Sequence, residues 1–306
     1  MTSFIFPGQG SQIVGMAKDF HDNFDIAKLT FEEIQDYVNI NLKEIIFEDK
    51  KNQLNLTNFT QLCIFTASIA IYRSFIKETN YDVTKIKVML GHSLGEYTAL
   101  ACSNKLNLKD CSLVLKKRSE LMGNSVKPNL SGMAALIGKN VDDIENIIKE
   151  NNLNIEIAND NSPIQVVISG DSKNIDKSQE IFLKNNIKRF VKLNVSAAFH
   201  SKFMIEAQNE LSNFIDKLKF NNNDIKIISN FNAECTENNK LIIKSLKKQM
   251  ANRVRWTESI NTLAKLGINQ IIEIGPGKVL SGLIKRISNS FDIKNITNIS
   301  DLKNNE

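Results

Sequence analysis

Short apolar runs alternate along the chain with longer stretches in which apolar residues recur every three or four positions. Residues 3–6 form a β-prone apolar run that ends in the turn sequence PGQGS. Helical spacing dominates residues 18–79, and the mostly apolar stretch 57–75 predicts a well-buried helix. The N-terminal part is therefore predicted to contain one strand followed by several helices.

A second strand, a glycine turn and two helices follow. Residues 86–90 (IKVML) predict a short buried strand, which leads into the turn sequence GHSLG. The next segment, EYTALACSNK, has helical character, and residues 109–124 predict an amphipathic helix with Arg118 near its middle. Strands followed by helices in this order are typical of an α/β fold.

The pattern changes between residues 126 and 194, where short strands and short helices alternate. The predicted order is strand, helix, strand, strand, helix, strand, over the segments GMAALIG, 141–151, IEIAN, QVVISG, 174–185 and RFVKLNV. This βαββαβ order is that of a ferredoxin-like unit.

After this unit the predicted strands are again separated by longer stretches of chain. Strands are predicted at 226–229 and 270–274, and a helix at 278–287. We therefore predict an α/β fold of two parts. Residues 1–125 and 195–306 form a parallel-sheet core, and residues 126–194 form an inserted ferredoxin-like subdomain.

Composition narrows the functional classes. The chain has 306 residues, of which 42% are hydrophobic and 24% charged, with a net charge of +5. This is typical of a globular enzyme, and the mild, scattered basic excess favours acidic partners over nucleic acid. The four cysteines have no metal-binding spacing, so we expect reduced thiols and no metal site. No apolar stretch approaches the roughly 18 residues needed to span a membrane and no signal peptide is recognisable, which predicts a cytoplasmic protein.

The turn sequence GHSLG fits the GxSxG pattern of a nucleophile elbow. Its position between a predicted strand and a predicted helix would expose the hydroxyl of Ser93 at the C-terminal end of the strand. The helix N-terminus behind it favours developing negative charge. The alternative is an ordinary strand-to-helix turn in which Ser93 caps the helix.

A serine nucleophile needs a base, and the chain has three histidines. His21 lies in a polar stretch and is predicted to be on the surface. His92 is expected to be packed or hydrogen-bonded on the other side of the elbow. His200, which lies between a predicted strand and a helix, is the candidate base. Oxyanion donors are also required, and the backbone N–H of Leu94 and the loop containing Gln9 are the candidates.

Several segments together resemble one enzyme family. They are FPGQGSQ, GHSLGEY, Arg118 with Met122, GMAALIG, IANDNSPIQVVISG, AAFHS and EIGPGKVLSGL. In this combination, over nearly the whole chain, they resemble the malonyl-CoA:acyl-carrier-protein transacylases, the acyltransferases of bacterial-type fatty-acid synthesis. The resemblance implies an α/β-hydrolase-like core with a ferredoxin-like insert.

The resemblance also implies roles for single residues. Ser93 matches the acyl-carrying serine, His200 its base, and the backbone amides of Gln9 and Leu94 the oxyanion hole. Arg118 matches the arginine that binds the malonyl carboxylate. A buried guanidinium is suited to this because it makes two parallel charge-assisted hydrogen bonds. The alternative for Arg118, beside Lys116 and Lys117, is a surface position.

Three further matches concern the surroundings of this pair. The main-chain carbonyl of Gln249 matches the group that orients the histidine, so the family uses a Ser–His pair without an acid. Phe199 and Met122 match positions that select the acyl group, and relatives that prefer methylmalonyl tend to have a smaller residue at the first of them. The chain departs from many relatives at Arg253, where they have proline.

Two features remain open to interpretation. Asn159 and Asn161 either line the cleft or form a turn. The sequence GPG at residues 275–277 lacks the lysine and spacing of a phosphate loop and is predicted to be a strand-to-helix turn.

The resemblance and the charge of the chain also predict partners, and two rival functions stay open. The resemblance implies malonyl-CoA and acyl carrier protein as substrates, no metal or tightly bound cofactor, and we expect a monomer. A basic face for the acidic carrier is predicted at Lys202, Lys278, Lys285 and Arg286. The rivals are an esterase or thioesterase, which an acid such as Asp171 or Asp176 would favour, and a non-catalytic carrier-binding module.

Overall fold

A computed structural model describes residues 1–126 and 130–305; residues 127–129, at the start of the predicted insert, lie outside the described residues. The strands are β1 Thr2–Phe6, β2 Ile86–Gly91, β3 Ser131–Ile137, β4 Ile155–Ser162, β5 Gln165–Asp171, β6 Arg189–Lys192, β7 Lys226–Ile228, β8 Cys235–Thr236, β9 Val254–Arg255, β10 Gln270–Ile274 and β11 Asp292–Ile296. The α-helices are α1 Lys18–Asn23, α2 Asp25–Val38, α3 Leu42–Phe47, α4 Thr57–Thr79, α5 Leu94–Cys102, α6 Leu108–Asn124, α7 Val141–Glu150, α8 Ser172–Lys184, α9 Ile205–Ile215, α10 Asn239–Leu246, α11 Trp256–Lys265 and α12 Val279–Ile287.

The core sheet has the strand order β11-β10-β1-β2-β7-β8. Its strands are parallel except for the short edge strand β8, which runs antiparallel to β7. All five residues of β1 are buried, as expected for a parallel sheet covered on both faces. Phe6 pairs with Gly91, so the loops after β1 and β2 leave the sheet side by side at its C-terminal edge.

The second sheet contains β3 to β6 in the order β6-β3-β5-β4, all antiparallel. Because β5 lies between β3 and β4, the unit β3–α7–β4 is split, as in ferredoxin-like folds. Helices α7 and α8 cover one face with buried residues such as Ile144 and Phe182. The predicted α/β class, with a parallel core and a ferredoxin-like unit, is confirmed.

A strand from the C-terminal part of the chain extends the second sheet. β9 lies parallel to β4, with Asn159 paired to Val254 and Asp160 to Arg255. Its two residues are too few for a periodic pattern, and the sequence did not predict it. The division into residues 1–125 with 195–306 and residues 126–194 stays a prediction.

The longest helix corrects one expectation. α4 extends to Thr79, and by length and composition it is the one helix of the described residues that could cross a membrane. The prediction that no stretch approaches this length was wrong, because threonine, serine and cysteine residues interrupt the apolar run only weakly. However, 78% of its most apolar window is buried inside the protein, as in the core helix of a globular domain.

Other differences are local. The strand predicted over RFVKLNV ends at Lys192, and the helix predicted over 57–75 is four residues longer at its C-terminus. His21 is not a free surface residue, since its ring packs edge-on against Phe31 and Phe47 with centroids 5.3 and 5.1 Å away. The GPG sequence forms the predicted turn between β10 and α12.

Candidate active site

The turn between β2 and α5 is closed by two glycines that have no room for a side chain. A Cβ at Gly91 would lie 2.1 Å from the backbone of Gly95, and one at Gly95 would lie 2.2 Å from the carbonyl oxygen of Phe6. Ser93 between them has φ 52° and ψ −105°, an unfavourable backbone conformation for a residue with a side chain. Its hydroxyl makes no helix-capping hydrogen bond, so the alternative of a capping serine was wrong.

Ser93 is paired with His200. The serine Oγ lies 2.9 Å from Nε2 of the imidazole. The other ring nitrogen, Nδ1, lies 3.0 Å from the carbonyl oxygen of Gln249 and 3.1 Å from that of Asn252. Both carbonyls can only accept, so Nδ1 carries the proton and Nε2 is left to accept the serine proton.

The protonation state of His200 suits a base. Burial, followed by the positive charge of Arg118, lowers the pKa of His200 to about 3. The imidazole is therefore neutral, and able to take a proton, throughout the neutral pH range. Its loop is held from the second sheet, because Ser169 Oγ donates to the carbonyl of Phe199 at 2.6 Å.

Arg118 lies inside the protein, with 1% of its surface exposed, and not on the surface as the alternative had it. Its Nη2 donates to Ser93 Oγ at 2.9 Å and to Gln249 Oε1 at 3.0 Å, and Nη1 donates to Gln61 Oε1. All three partners are uncharged, and Nε has no hydrogen-bond partner among the described residues. The ring of Tyr97 lies 5.3 Å from the guanidinium carbon. Such a buried cation, next to the nucleophile, is suited to bind an anionic group.

The two residues predicted to supply the oxyanion donors, Leu94 and Gln9, follow β2 and β1 at the same edge of the core sheet. Leu94 is the first residue of α5, whose first N–H groups have no partner within the helix. The N–H of Ser93 itself is already used, since it donates to Asn230 Oδ1 at 2.6 Å. Gln9 lies on the neighbouring loop after β1. Leu94 and Gln9 both line a cavity together with Ser93, and their backbone amides stay the predicted oxyanion donors.

A cavity of about 100 Å³ joins these groups. Except for Gln249, every residue that the sequence assigned to the site lines it: Gln9, Ser93, Leu94, Arg118, Met122, Phe199 and His200. Its volume is about that of three water molecules in the liquid, which suits a small acyl group. A second cavity of about 210 Å³ shares Gln9 and His92 with it.

The two asparagines have different surroundings. Asn159 lines both cavities, whereas Asn161 lines only the second and its Oδ1 lies 2.9 Å from Nε2 of His92. His92 also packs against Trp256, with 5.6 Å between ring centroids. The expectation that His92 is hydrogen-bonded and packed is met.

The candidate acids do not reach His200. Asp171 accepts from the amide of Lys173 at the start of α8, and Asp176 pairs with Lys192 at 2.6 Å. Within residues 1–126 and 130–305, no group of three or more His, Cys, Asp or Glu side chains is placed to hold a metal ion. The chemistry available is that of a Ser–His pair beside an arginine.

The loop after Gln249 is tied to the second sheet. Arg253, the residue at which the sequence departs from its resemblance, donates to Glu145 of α7 at 2.6 Å. In the predicted basic face, Lys278 and Lys285 are exposed to solvent. Lys202 donates a hydrogen bond to Asn154, and Arg286 donates one to Gln165.

Sequence reasoning missed three polar residues of the site. Gln61 binds Arg118 from α4, and Glu96 and Asn230 lie behind the elbow. The only available signal was position: Glu96 follows the GxSxG motif directly, and Asn230 follows the predicted strand 226–229.

Comparison with known proteins identifies the fold and the family of this chain. Residues 3–306 match the family model described as an acyl transferase domain. The chain is 37% identical to the malonyl CoA-acyl carrier protein transacylase of Bacillus subtilis over 292 residues, or 94% of this chain and 90% of that one. The crystal structure of an acyl-carrier-protein S-malonyltransferase from Bartonella henselae is 34% identical, with a TM-score of 0.94 over 99% of this chain and 98% of that one.

A third relative was solved with a partner. A malonyl-transacylase in complex with its type II polyketide synthase acyl carrier protein is 31% identical, with a TM-score of 0.93 over 99% of this chain and 97% of that one. The match extends over the whole chain and includes the turn with Ser93 and the loop with His200. The chain therefore belongs to the malonyl-CoA:acyl carrier protein transacylase family of acyltransferases.

Proposed function

We propose that the protein transfers a malonyl group from malonyl-CoA to the phosphopantetheine thiol of an acyl carrier protein, through a malonyl-serine intermediate, in fatty-acid synthesis. The observation that carries this proposal is the buried Arg118, whose partners are all neutral and whose Nη2 lies 2.9 Å from Ser93 Oγ. Its charge is available to a carboxylate attached to the acyl group on that oxygen.

In the first half-reaction His200 Nε2 takes the proton of Ser93 Oγ as the oxygen attacks the thioester carbonyl. The amides of Gln9 and Leu94 stabilise the oxyanion of the tetrahedral intermediate. The C–S bond then breaks, the thiolate of coenzyme A takes the proton from His200 and leaves, and a malonyl ester remains on Ser93. Gln249 and Asn252 hold Nδ1 throughout, so the ring keeps its orientation.

In the second half-reaction the carrier thiol gives its proton to His200 and attacks the ester carbonyl. The C–O bond breaks, Ser93 Oγ recovers the proton, and the malonyl thioester leaves on the carrier. No metal or tightly bound cofactor takes part in these steps.

The acyl group is selected by charge and by shape. The carboxylate of malonyl forms charge-assisted hydrogen bonds with the guanidinium of Arg118, whereas an acetyl group would leave that guanidinium without an anion. Phe199 and Met122 bound the cavity on its apolar side and restrict branched groups.

The proposal includes the setting of the enzyme. We propose a cytoplasmic monomer that acts on carrier protein in solution, without membrane or nucleic acid, and that receives the carrier near Lys202, Lys278, Lys285 and Arg286. The name of the relative solved with a carrier protein supports the choice of partner. Residues 126–194 act as a separate subdomain that closes one side of the cleft.

The test is to incubate the purified protein with malonyl-CoA or acetyl-CoA and weigh it intact by mass spectrometry. We expect a malonyl adduct on the wild-type protein, no adduct on Ser93→Ala, and little adduct from acetyl-CoA. Steady release of coenzyme A without an adduct would instead indicate a hydrolase, and no reaction would favour a carrier-binding module.

Arg118→Ala tests the selection step in the same assay. We expect malonylation to slow about a hundredfold, because a charge-assisted pair is worth about 1.5–3 kcal/mol, while the relative rate with acetyl-CoA increases. Arg73→Ala is the matched control, because this arginine pairs with Glu33 away from the cleft. An unchanged malonyl-to-acetyl ratio in Arg118→Ala would refute the role of this residue.

A further inference from the structure

The backbone of the nucleophile is held on both sides by amide side chains. The N–H of Ser93 donates to Asn230 Oδ1 at 2.6 Å, and Nε2 of Gln249 donates to the carbonyl of Ser93 at 3.0 Å. Asn230 also donates from Nδ2 to the carbonyl of Gly91 at 2.8 Å. These bonds maintain the strained conformation of Ser93, which a free turn would relax.

Both of these residues bind the same carboxylate oxygen. Oε2 of Glu96 accepts from the backbone N–H of Asn230 at 3.0 Å and from Nε2 of Gln249 at 2.7 Å. Glu96 has no exposed surface, and its other oxygen, Oε1, has no hydrogen-bond partner among the described residues. Burying a carboxylate with so few hydrogen bonds costs free energy of folding, so packing alone does not explain why a glutamate is found here.

Helix capping does not explain it. Ser93 and Glu96 have the spacing of a capping box, in which the glutamate would accept the N–H of the serine. Here Asn230 accepts that N–H, the serine hydroxyl faces His200, and the carboxylate turns away from the helix end. Glu96 therefore acts on the residues behind the elbow rather than on its own helix.

The carboxylate of Glu96, together with the carbonyl of Ser93, determines the orientation of the side-chain amide of Gln249. An ionised carboxylate only accepts, so the NH₂ group of Gln249 must face Glu96 and its Oε1 must face away. That oxygen accepts from Arg118 Nη2 at 3.0 Å. If the amide were reversed, its NH₂ group would oppose the guanidinium. A chain of hydrogen bonds thus leads from Glu96 through Gln249 to Arg118, and Arg118 in turn donates to Ser93 Oγ.

We propose that Glu96 is a positioning residue for acyl selection: its ionised carboxylate orients the side chain of Gln249, which holds the guanidinium of Arg118 where the acyl carboxylate is bound. This inference rests on the proposed function. Its consequence is a preference for malonyl over uncharged acyl groups that depends on the charge of Glu96.

The charge of Glu96 changes in an accessible pH range. Burial raises the pKa of Glu96 to about 7, and the hydrogen bonds from Gln249 and Asn230, the charge of Arg118 and the nearby hydroxyl of Ser229 limit the rise. The groups that act on it are Arg118 of α6 and Tyr97 of α5. Burial raises the pKa of Tyr97 and lowers that of Arg118, and Arg118 stays cationic near pH 7 because of its high intrinsic pKa. The loops after β7 and α10 contribute Asn230 and Gln249, which do not titrate.

The pH dependence separates Glu96 from the base. His200, with a pKa of about 3, stays neutral at pH 6 and gives no change in activity near pH 7. Below pH 7, protonation of Glu96 removes the negative charge that binds the NH₂ group of Gln249, which weakens this contact and loosens Arg118. We expect the malonyl-to-acetyl ratio of acylation rates to fall about tenfold from pH 8 to pH 6, with a midpoint near the pKa of Glu96, about 7.

The experiment compares Glu96→Gln with Glu273→Gln in the full chain. Gln at position 96 imitates the protonated carboxyl, so this variant should show at every pH the low ratio of the wild-type protein at pH 6. Glu273 is the matched control, because it is also fully buried but bonds Ser281 and Asn295, away from the cavity. The rates of malonyl and acetyl adduct formation are measured from pH 5.5 to 8.5, with thermal unfolding to verify folding.

The outcomes are distinct. A step near pH 7 in the wild-type protein and in Glu273→Gln, absent from Glu96→Gln, supports the inference. A ratio in Glu96→Gln that follows the wild-type curve overturns it, although malonyl transfer itself stands. If Glu96→Gln does not fold, the wild-type curve decides alone, since a flat ratio overturns the inference. If the wild-type protein forms no malonyl adduct, both the inference and the proposed function are wrong.

Discussion

The two strand-to-helix turns of the core sheet differ in what they do with a helix N-terminus. After β10, the carboxylate of Glu273 accepts from the amides of Leu280 and Ser281 at 3.1 and 2.8 Å, so α12 is capped from inside the protein. After β2, the described residues show no hydrogen bond to the amide of Leu94, and Leu94 lines the cavity. An N-terminus that receives its anion from the protein is structural, whereas one that is left open can receive an anion from a substrate.

The serines of the two turns differ in the same way. Ser281 Oγ donates to Glu273 at 2.5 Å and is held by it. Ser93 Oγ faces a neutral imidazole that can take its proton, and its backbone is held in a strained conformation by other residues. The residue type is the same, and the partner decides whether the hydroxyl is a hydrogen-bond donor or a nucleophile.

The largest expected effect comes from removing the base. His200→Ala should slow malonylation by about two to four orders of magnitude, because Ser93 then loses its proton to water alone. Adduct formation is followed by intact mass. Ser281→Ala, which removes the hydroxyl of the other turn, should keep the wild-type rate, and a near-normal rate in His200→Ala would mean that the base was wrongly assigned.

Next in size is the loss of the close approach at the elbow. Gly95→Ala would place a Cβ 2.2 Å from the carbonyl oxygen of Phe6 and 2.9 Å from that of Pro7, and both contacts are with backbone atoms. We expect a loss of about 3 kcal/mol or more in the free energy of unfolding, measured by urea denaturation, and loss of the adduct. A variant as stable as the wild-type protein would contradict the tight packing of this turn.

A property shared by the two turns is the buried glutamate, which makes stability depend on pH. The pKa of Glu96 is raised from 4.5 to about 7, so its contribution is present below pH 4.5 and is lost as the pH rises through 7. Glu96→Gln lacks this loss. Its free energy of unfolding, relative to that of the wild-type protein, should therefore increase by about 2 kcal/mol from pH 5 to pH 8. Urea denaturation at both pH values measures it. Burial also raises the pKa of Glu273, so Glu273→Gln should change in the same direction.

The smallest effect should be found at Gly282, the glycine in the first turns of α12. A Cβ there would have nothing within 4 Å, and the residue is exposed. Gly282→Ala is expected to raise the free energy of unfolding by about 0.5–1 kcal/mol, because alanine favours a helix over glycine. A destabilisation in the same urea assay would mean that Gly282, like Gly95, has no room for a side chain, contrary to the structure.

The local parts of the fold and the nucleophile could be predicted from the sequence. Apolar runs and helical spacing depend on neighbouring residues, so β1, β2, β3, α7 and α12 were recognisable. The GxSxG turn is similarly local, because its two glycines meet within five residues.

The burial of the charged residues Arg118 and Glu96 could not be predicted from the sequence pattern. Arg118 lies in a helix beside two lysines, and only packing against α4 through Gln61 decides that it faces inward. Glu96 is bound by partners that lie 134 and 153 positions away in the chain, so no spacing rule connects them. The two-residue strand β9 has no period to detect, and its partner strand lies almost a hundred positions earlier.

The pairing of β9 with β4 has a consequence for protein engineering. The carbonyls that hold His200 belong to Gln249 and Asn252, immediately before β9, and Thr257 just after it donates to Asp160 of β4 at 2.7 Å. The ferredoxin-like unit is therefore not a cassette that can be exchanged at its two chain junctions. A chimera that imports a foreign unit to change acyl preference must bring a matching segment 249–257 with it, or the catalytic base is left on a scaffold built for another sheet.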